Sequence, residues 1–433
     1  MININVGSLG LCPVNGEESF VERVKDLPVS MEDYRDIKSV AEYVGVTEQF
    51  KDVIDTFKTP DGETPAGFRR ELTLDAEGVL RIDLVRDISY DKNGVERPTN
   101  VLFSADSANP YEIEPISPLI ANLTCNPGIV YDLFINNPKA NVGNKYKTRD
   151  EVMAEIARIL GPGCDISVEL NNPFEQDFNK ILEEVQKFEE MFSKYRLVVK
   201  VPHVGPVTGE NVGQLLEGSK KLDKRPDQVE TDKAFLGHNL ALKLRNLGYR
   251  VNFTLMFEPF QTNLALQARP YFINTFLRHR LTQSTNVLKF VNQYEASGDS
   301  KALEQLRDYL IANDYYTEAD KDMSLNEVLK FSKDLLKYRH FEDEQGSDGL
   351  DGMRHNLRLL RNCNLEDTRL IVCSMEGPYN YPDIDKLLAE PEFIDMNKKV
   401  VITAEPNYLA RFTSTNQVIS YQRRFMNAAN GQK

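Results

Sequence analysis

The sequence predicts an α/β protein built on an eight-stranded (β/α)8 barrel of the TIM type, preceded by an α+β extension. Two observations carry this. From about residue 98 onward, eight short β-branched runs alternate with helical stretches, the pattern that parallel βα units produce. Five of those runs place polar or charged side chains on one face near their C-terminal ends, where barrel enzymes build their active sites.

In chain order, residues 1–97 come first. A helix-rich part, Met31 to Phe57, is followed by the turn-prone Thr59-Pro-Asp-Gly and by an expected hairpin from Glu71 to Ser89. This extension carries no interpretable motif. The barrel, 98–425, then supplies eight expected strands: Val101 to Ala105, Ile120 to Thr124, Asp165 to Glu169, Leu197 to Val201, Arg250 to Leu255, Tyr271 to Asn274, Arg369 to Cys373 and Lys399 to Thr403. Two long insertions interrupt it, about 206–233 after the fourth strand and 281–367 after the sixth. The second is expected to be helical, since Leu303, Leu306, Leu310 and then Leu325, Val328, Leu329, Phe331 recur at helix spacing. Both follow strand C-termini, so both are expected over the catalytic face.

The composition bounds the partners. With 433 residues, 41% hydrophobic and 27% charged, the chain is long enough to bury a barrel-sized core. A net charge of −14 gives no reason to expect nucleic acid or an anionic membrane as a partner. The five cysteines are scattered and never form a C-x-x-C pair, which argues against a disulfide framework or a zinc site and for a reducing, cytoplasmic setting. No apolar run approaches the roughly 20 residues that span a bilayer, and the N-terminus shows no targeting signal.

Strand parity locates the chemistry. In Leu197-Val-Val-Lys-Val-Pro, Lys200 shares a face with Val198 while Val199 and Val201 take the other, so the lysine points into the barrel. By the same reading Ser167 and Glu169 face inward, as do Asn252 and Thr254, Asn122, Thr124 and Asn126, and Ser104 and Asp106. A lone lysine in an apolar strand is an ordinary device against edge aggregation, and a lone Glu169 is an ordinary ion-pair partner. Together they read differently. Burial is expected to lower the lysine pKa and leave a neutral amine able to attack a carbonyl, with a carboxylate at hand to move protons. The five histidines show no metal-ligand spacing.

The ordered motifs resemble the transaldolase and fructose-6-phosphate aldolase family. Val101-Leu-Phe-Ser-Ala-Asp-Ser-Ala-Asn is similar to that family's first strand with its D-[ST]-A-[ND] ending, and Leu123-Thr-Cys-Asn-Pro-Gly-Ile to its T-T-N-P-S-[LI] signature. Ile166-Ser-Val-Glu resembles V-S-x-E, Leu197-Val-Val-Lys-Val-Pro the strand bearing the Schiff-base lysine, and Asn252-Phe-Thr-Leu-Met-Phe the N-x-T-L-[IL]-F strand. The resemblance spans roughly residues 98–412 and implies roles. Lys200 forms an imine with a sugar ketone, Glu169 shuttles protons through a water, and Asp106 takes the proton whose loss breaks the carbon–carbon bond. Thr124, Asn126, Asn252, Thr254, Asn274, Phe276, Arg278, Arg280 and Ser374 are the implied substrate contacts. The implied reaction transfers a three-carbon dihydroxyacetone unit between sugar phosphates, as in the pentose phosphate pathway of carbohydrate metabolism. It needs no metal or nucleotide cofactor, its partner is a small-molecule sugar, and it is compatible with a homo-oligomer.

The pattern breaks at the distal end of the substrate. Asn274 replaces a serine, and the family's phosphate-binding arginine falls on His279, flanked by Arg278 and Arg280; Glu376 occupies a second basic position. Three functions therefore stand at this point: transfer, aldol cleavage that releases dihydroxyacetone, and a non-catalytic barrel. Phe276, where the family's aldolases carry tyrosine, favours transfer.

Overall fold

In this computed structural model the described residues are 4–87, 90, 101–193, 195–373 and 377–431. Among the described residues, twelve strands form two sheets. The first has four members, β1 (Cys12–Pro13), β2 (Tyr43–Val46), β3 (Phe68–Leu74) and β4 (Val79–Arg86), in the order β1-β2-β4-β3. The expected hairpin is the antiparallel β3/β4 pair; its expected end, Ser89, and the expected boundary at 97/98 lie outside the described residues. The helix-rich segment is two helices, Met31–Lys38 and Glu48–Phe57, with β2 between them. Ser30 and Thr47 cap these helices through side-chain oxygens. Phe50 and Val53 then bury against Leu80 and Ile82 of β4 in a core separate from the barrel's.

The second sheet is a closed barrel of eight parallel strands: β5 (Leu102–Asp106), β6 (Ile120–Thr124), β7 (Asp165–Glu169), β8 (Arg196–Pro202), β9 (Arg250–Thr254), β10 (Phe272–Phe276), β11 (Arg369–Cys373) and β12 (Val400–Ala404). Each expected strand is present within two residues of its expected ends. Closure comes from β12 pairing with β5. Outward residues such as Val199, Val201, Val251 and Phe253 pack under the surrounding helices, whereas Leu102, Val198, Phe272, Ile371 and Val401 fill the interior.

The four-stranded sheet is fastened to the N-terminal end of the barrel by buried charge. Arg196, at the start of β8, has a fully buried side chain that donates to Asp165 at 2.9 Å and to Asp83 of β4 at 3.1 Å. Glu71 of β3 lies 3.5 Å from the same guanidinium, and Arg369 donates to Asp87 at 3.0 Å. Burial opposes ionisation of Glu71, yet Arg196 and Arg69 outweigh it and hold the carboxyl down to about 2. The extension thus closes the barrel end opposite the strand C-termini.

The insertions differ in kind. Residues 206–233 are mostly irregular, with a short 3-10 turn at Val212–Leu215. The second contains the helices Leu277–Ser297, Ser300–Ala312 and Leu325–Tyr338, packed on one another through Leu303, Leu306, Leu310 and Val328. The helix Asp351–Asn362 belongs to the barrel, because Met353, Leu357 and Leu360 join the barrel's outer core. The two insertions touch: Arg225 pairs with Asp320, and Lys221 donates to Asp314 at 2.8 Å.

Candidate active site

Lys200 and Glu169 are cross-strand neighbours in the β7/β8 register, and both point inward. The lysine is 6% exposed. Its Nζ lies 3.2 Å from Glu169 Oε2 and donates to the carbonyl oxygen of Cys125 at 3.4 Å. Asp106 stands at the C-terminal end of β5, in register with Thr124. Thus three strand ends bring together one amine and two carboxylates.

The charges settle one another. Burial alone would discharge Lys200, but the carboxylates of Glu169 and Asp106 outweigh it and hold the amine above its ordinary value. This corrects the sequence expectation of a neutral resting amine: the isolated site holds an ammonium. Asp106 is pushed up to about 6 by burial, with Lys200 pulling it down and Glu405, just past β12, pushing it up. Arg278 also acts on Asp106 and lowers it. The thiols nearby are inert, since burial raises Cys125 to about 12 and Cys373 higher still.

Below the lysine a belt of hydrogen bonds crosses the barrel. Thr403 and Asn122 donate to Ser104 at 3.0 and 2.9 Å, and Ser167 donates to Asn122 at 3.4 Å. Asn252 donates to Ser167 at 3.2 Å, Asn274 donates to Asn252 and to the Phe253 carbonyl, and Cys373 donates to Asn274 at 3.2 Å. Buried amides satisfied this way are rigid, which fixes the floor on which Lys200 stands.

The expected substrate contacts divide accordingly. Asn252 and Asn274 belong to the belt, and Thr124 and Thr254 are buried in the barrel wall. Asn126 is exposed just past β6, and its Oδ1 accepts the Ile129 amide at 3.0 Å in the first turn of the π-helix Gly128–Ile135. A π-helix is rare and recurs at functional sites. Phe276 is half-buried and stacks on Phe257 with ring centres 4.5 Å apart. Arg278 acts on Asp106, but Arg280 is committed elsewhere, its Nε donating to Asp351 at 3.1 Å and its other nitrogens pairing with Asp351 and Glu258. Ser374 and Glu376 lie outside the described residues. His203, three residues past Lys200, packs on Phe253 at 4.4 Å on the outside of the barrel.

Sequence reasoning missed Glu405, Phe257 and the Cys125 carbonyl. Parity would have found Glu405, two residues past inward-facing Thr403. Phe257 sits beyond its strand's end, where parity no longer applies. Among the described residues no cluster of three or more histidine, cysteine or acidic groups could hold a metal ion, and no helix is long and apolar enough to cross a membrane. A scan against protein-family profiles and a search of curated proteins returned no match to this chain.

Proposed function

We propose that this chain is a class I, imine-forming aldolase-type enzyme that moves a three-carbon dihydroxyacetone unit from a ketose to an aldose, as transaldolases do. The observation that carries this reading is the Lys200–Glu169 pair, 3.2 Å apart inside the C-terminal end of the barrel with Asp106 across from it. A buried ammonium is a costly arrangement for stability alone; beside a carboxylate that can take its proton it becomes a nucleophilic amine.

The steps follow from the charges. Lys200 passes its proton to Glu169, directly or through a water, and the free amine attacks the ketone carbon. Glu169 returns the proton to the departing hydroxyl, so water leaves and a protonated imine forms. Asp106, ionised above about pH 6, takes the proton from the hydroxyl on the carbon to be expelled. The carbon–carbon bond electrons flow into the imine, giving an enamine and a free aldehyde. An acceptor aldehyde then adds to the enamine by the reverse steps, and hydrolysis frees Lys200.

Borohydride trapping with dihydroxyacetone, followed by peptide mapping, tests this. The expected result is a single reduced adduct on Lys200. An unlabelled Lys200 would refute imine chemistry.

A further inference from the structure

The chemistry just proposed does not say what the far end of the substrate carries. We propose that this site takes an unphosphorylated ketose, its distal carbons resting on an aromatic wall made by Phe257 and Phe276; the inference rests on the imine reading and specifies its substrate class.

The argument begins with the cations. Of Arg278, His279 and Arg280, which follow β10, Arg280 is 3% exposed and has its Nε and both terminal nitrogens engaged by Asp351 and Glu258. Glu258 in turn accepts from Arg339, whose own side chain is buried and also donates to Ser284 at 3.1 Å. To swing Arg280 onto a phosphate would leave Asp351 without its cation and Glu258 with Arg339 alone, a disruption that a buried network resists. His279 is kept below its ordinary value by burial and by the charge of Arg278, so it is neutral at pH 7 and offers no charge to a dianion.

The cations near the reacting end are shared with carboxylates. Lys200 and Arg278 act on Asp106 together with Glu405 and Glu169, so an anion drawn to either cation also meets carboxylate charge.

What the mouth offers instead is an apolar face. Phe257 stacks on Phe276 at 4.5 Å and 26°, and His279 meets the edge of Phe257 at 5.7 Å. One turn builds both features. Leu255 adopts a left-handed conformation, φ 56°, strained for a leucine. Gln261 holds that turn, donating to the Leu255 carbonyl at 3.1 Å and accepting the amides of Phe257 and Glu258 at 2.7 and 2.9 Å. The same turn therefore sets the aromatic wall with Phe257 and locks Arg280 with Glu258. Sugars stack their C–H faces on such rings, and a neutral polyol gains that contact without facing the carboxylates.

The test uses the full chain and borohydride trapping at Lys200, with rates compared per open-chain carbonyl. Dihydroxyacetone has no distal carbons and reports imine formation alone. Fructose against fructose 6-phosphate reports the distal end. The expected result is labelling by dihydroxyacetone, with fructose at least tenfold more efficient than its phosphate and with Phe257→Ala erasing most of that advantage. If fructose 6-phosphate labels Lys200 as well as fructose does, or better, the substrate assignment is overturned while the imine reading stands. If dihydroxyacetone fails to label, the imine reading falls first and takes the assignment with it.

Discussion

Replacing Asp106 with asparagine should make the protein more stable and less active at once. The carboxyl is raised from 3.8 to about 6, chiefly by burial. Because the folded value lies above the unfolded one, this group's stabilising contribution is complete below about pH 3.8 and is lost as the pH rises through about 6. At pH 7 the native state therefore carries an ionised group that it disfavours, by at most ~3 kcal/mol at 1.36 kcal/mol per pH unit. Asp106 is only half-buried, so solvent screening reduces the expectation to ~1–2 kcal/mol. Asparagine imitates the protonated form and removes the penalty. Urea unfolding of both proteins across pH 4 to 7 should show the variant more stable at pH 7, with the gap closing toward pH 4. The same variant should still give the Lys200 adduct with dihydroxyacetone while losing carbon–carbon cleavage by ~10²–10⁴-fold. In the unmodified protein, the proposed cleavage should rise with pH through about 6 as Asp106 ionises. A variant less stable than the parent at pH 7, or a stability gap that ignores pH, would refute the electrostatic account.

Three further outcomes are expected. Glu169→Gln removes the carboxylate 3.2 Å from Lys200, and imine formation should slow by ~10²–10⁴-fold; trapping kinetics read this, and an unchanged rate would mean that Glu169 moves no proton. Arg196→Met leaves Asp165 and Asp83 buried and unpaired, so melting should register a loss of ~3–5 kcal/mol, and limited proteolysis should separate the extension from the barrel. A loss under ~1 kcal/mol would show that the charge cluster does not fasten the two parts. Gly237→Ala places a methyl 2.2 Å from the Pro202 carbonyl at the end of β8. The strand carrying Lys200 must then shift, with a loss of ~1–3 kcal/mol and slower trapping; unaltered melting and trapping would contradict that close packing.

How much of this was legible in the sequence depends on the distance over which each feature is decided. Strand positions and the inward aim of Lys200, Glu169 and Asp106 are set by a two-residue period within a strand, and a single sequence carries that information. The charge on Lys200 is not local. Burial and two carboxylates act on it with opposite signs, and which prevails depends on how closely β5, β7 and β8 approach, so reasoning from burial alone gave the wrong direction. The ion pairs of Arg280 were hidden for a similar reason: its partners, Glu258 and Asp351, lie 22 residues before it and 71 after it, the latter beyond the three packed helices of the insertion. The surroundings of Asn126 are hidden where periodicity ends, because past β6 the chain turns into a π-helix and the side chain accepts the Ile129 amide. Arg196 shows the converse. A cation opening an apolar strand looks like an edge device, yet its partners Glu71 and Asp83 come from more than a hundred residues upstream in a different sheet. Chemistry that one strand dictates was readable. Chemistry that depends on which distant carboxylate reaches an arginine first was decided by the fold, as the pairing of Arg280 with Glu258 and Asp351 shows.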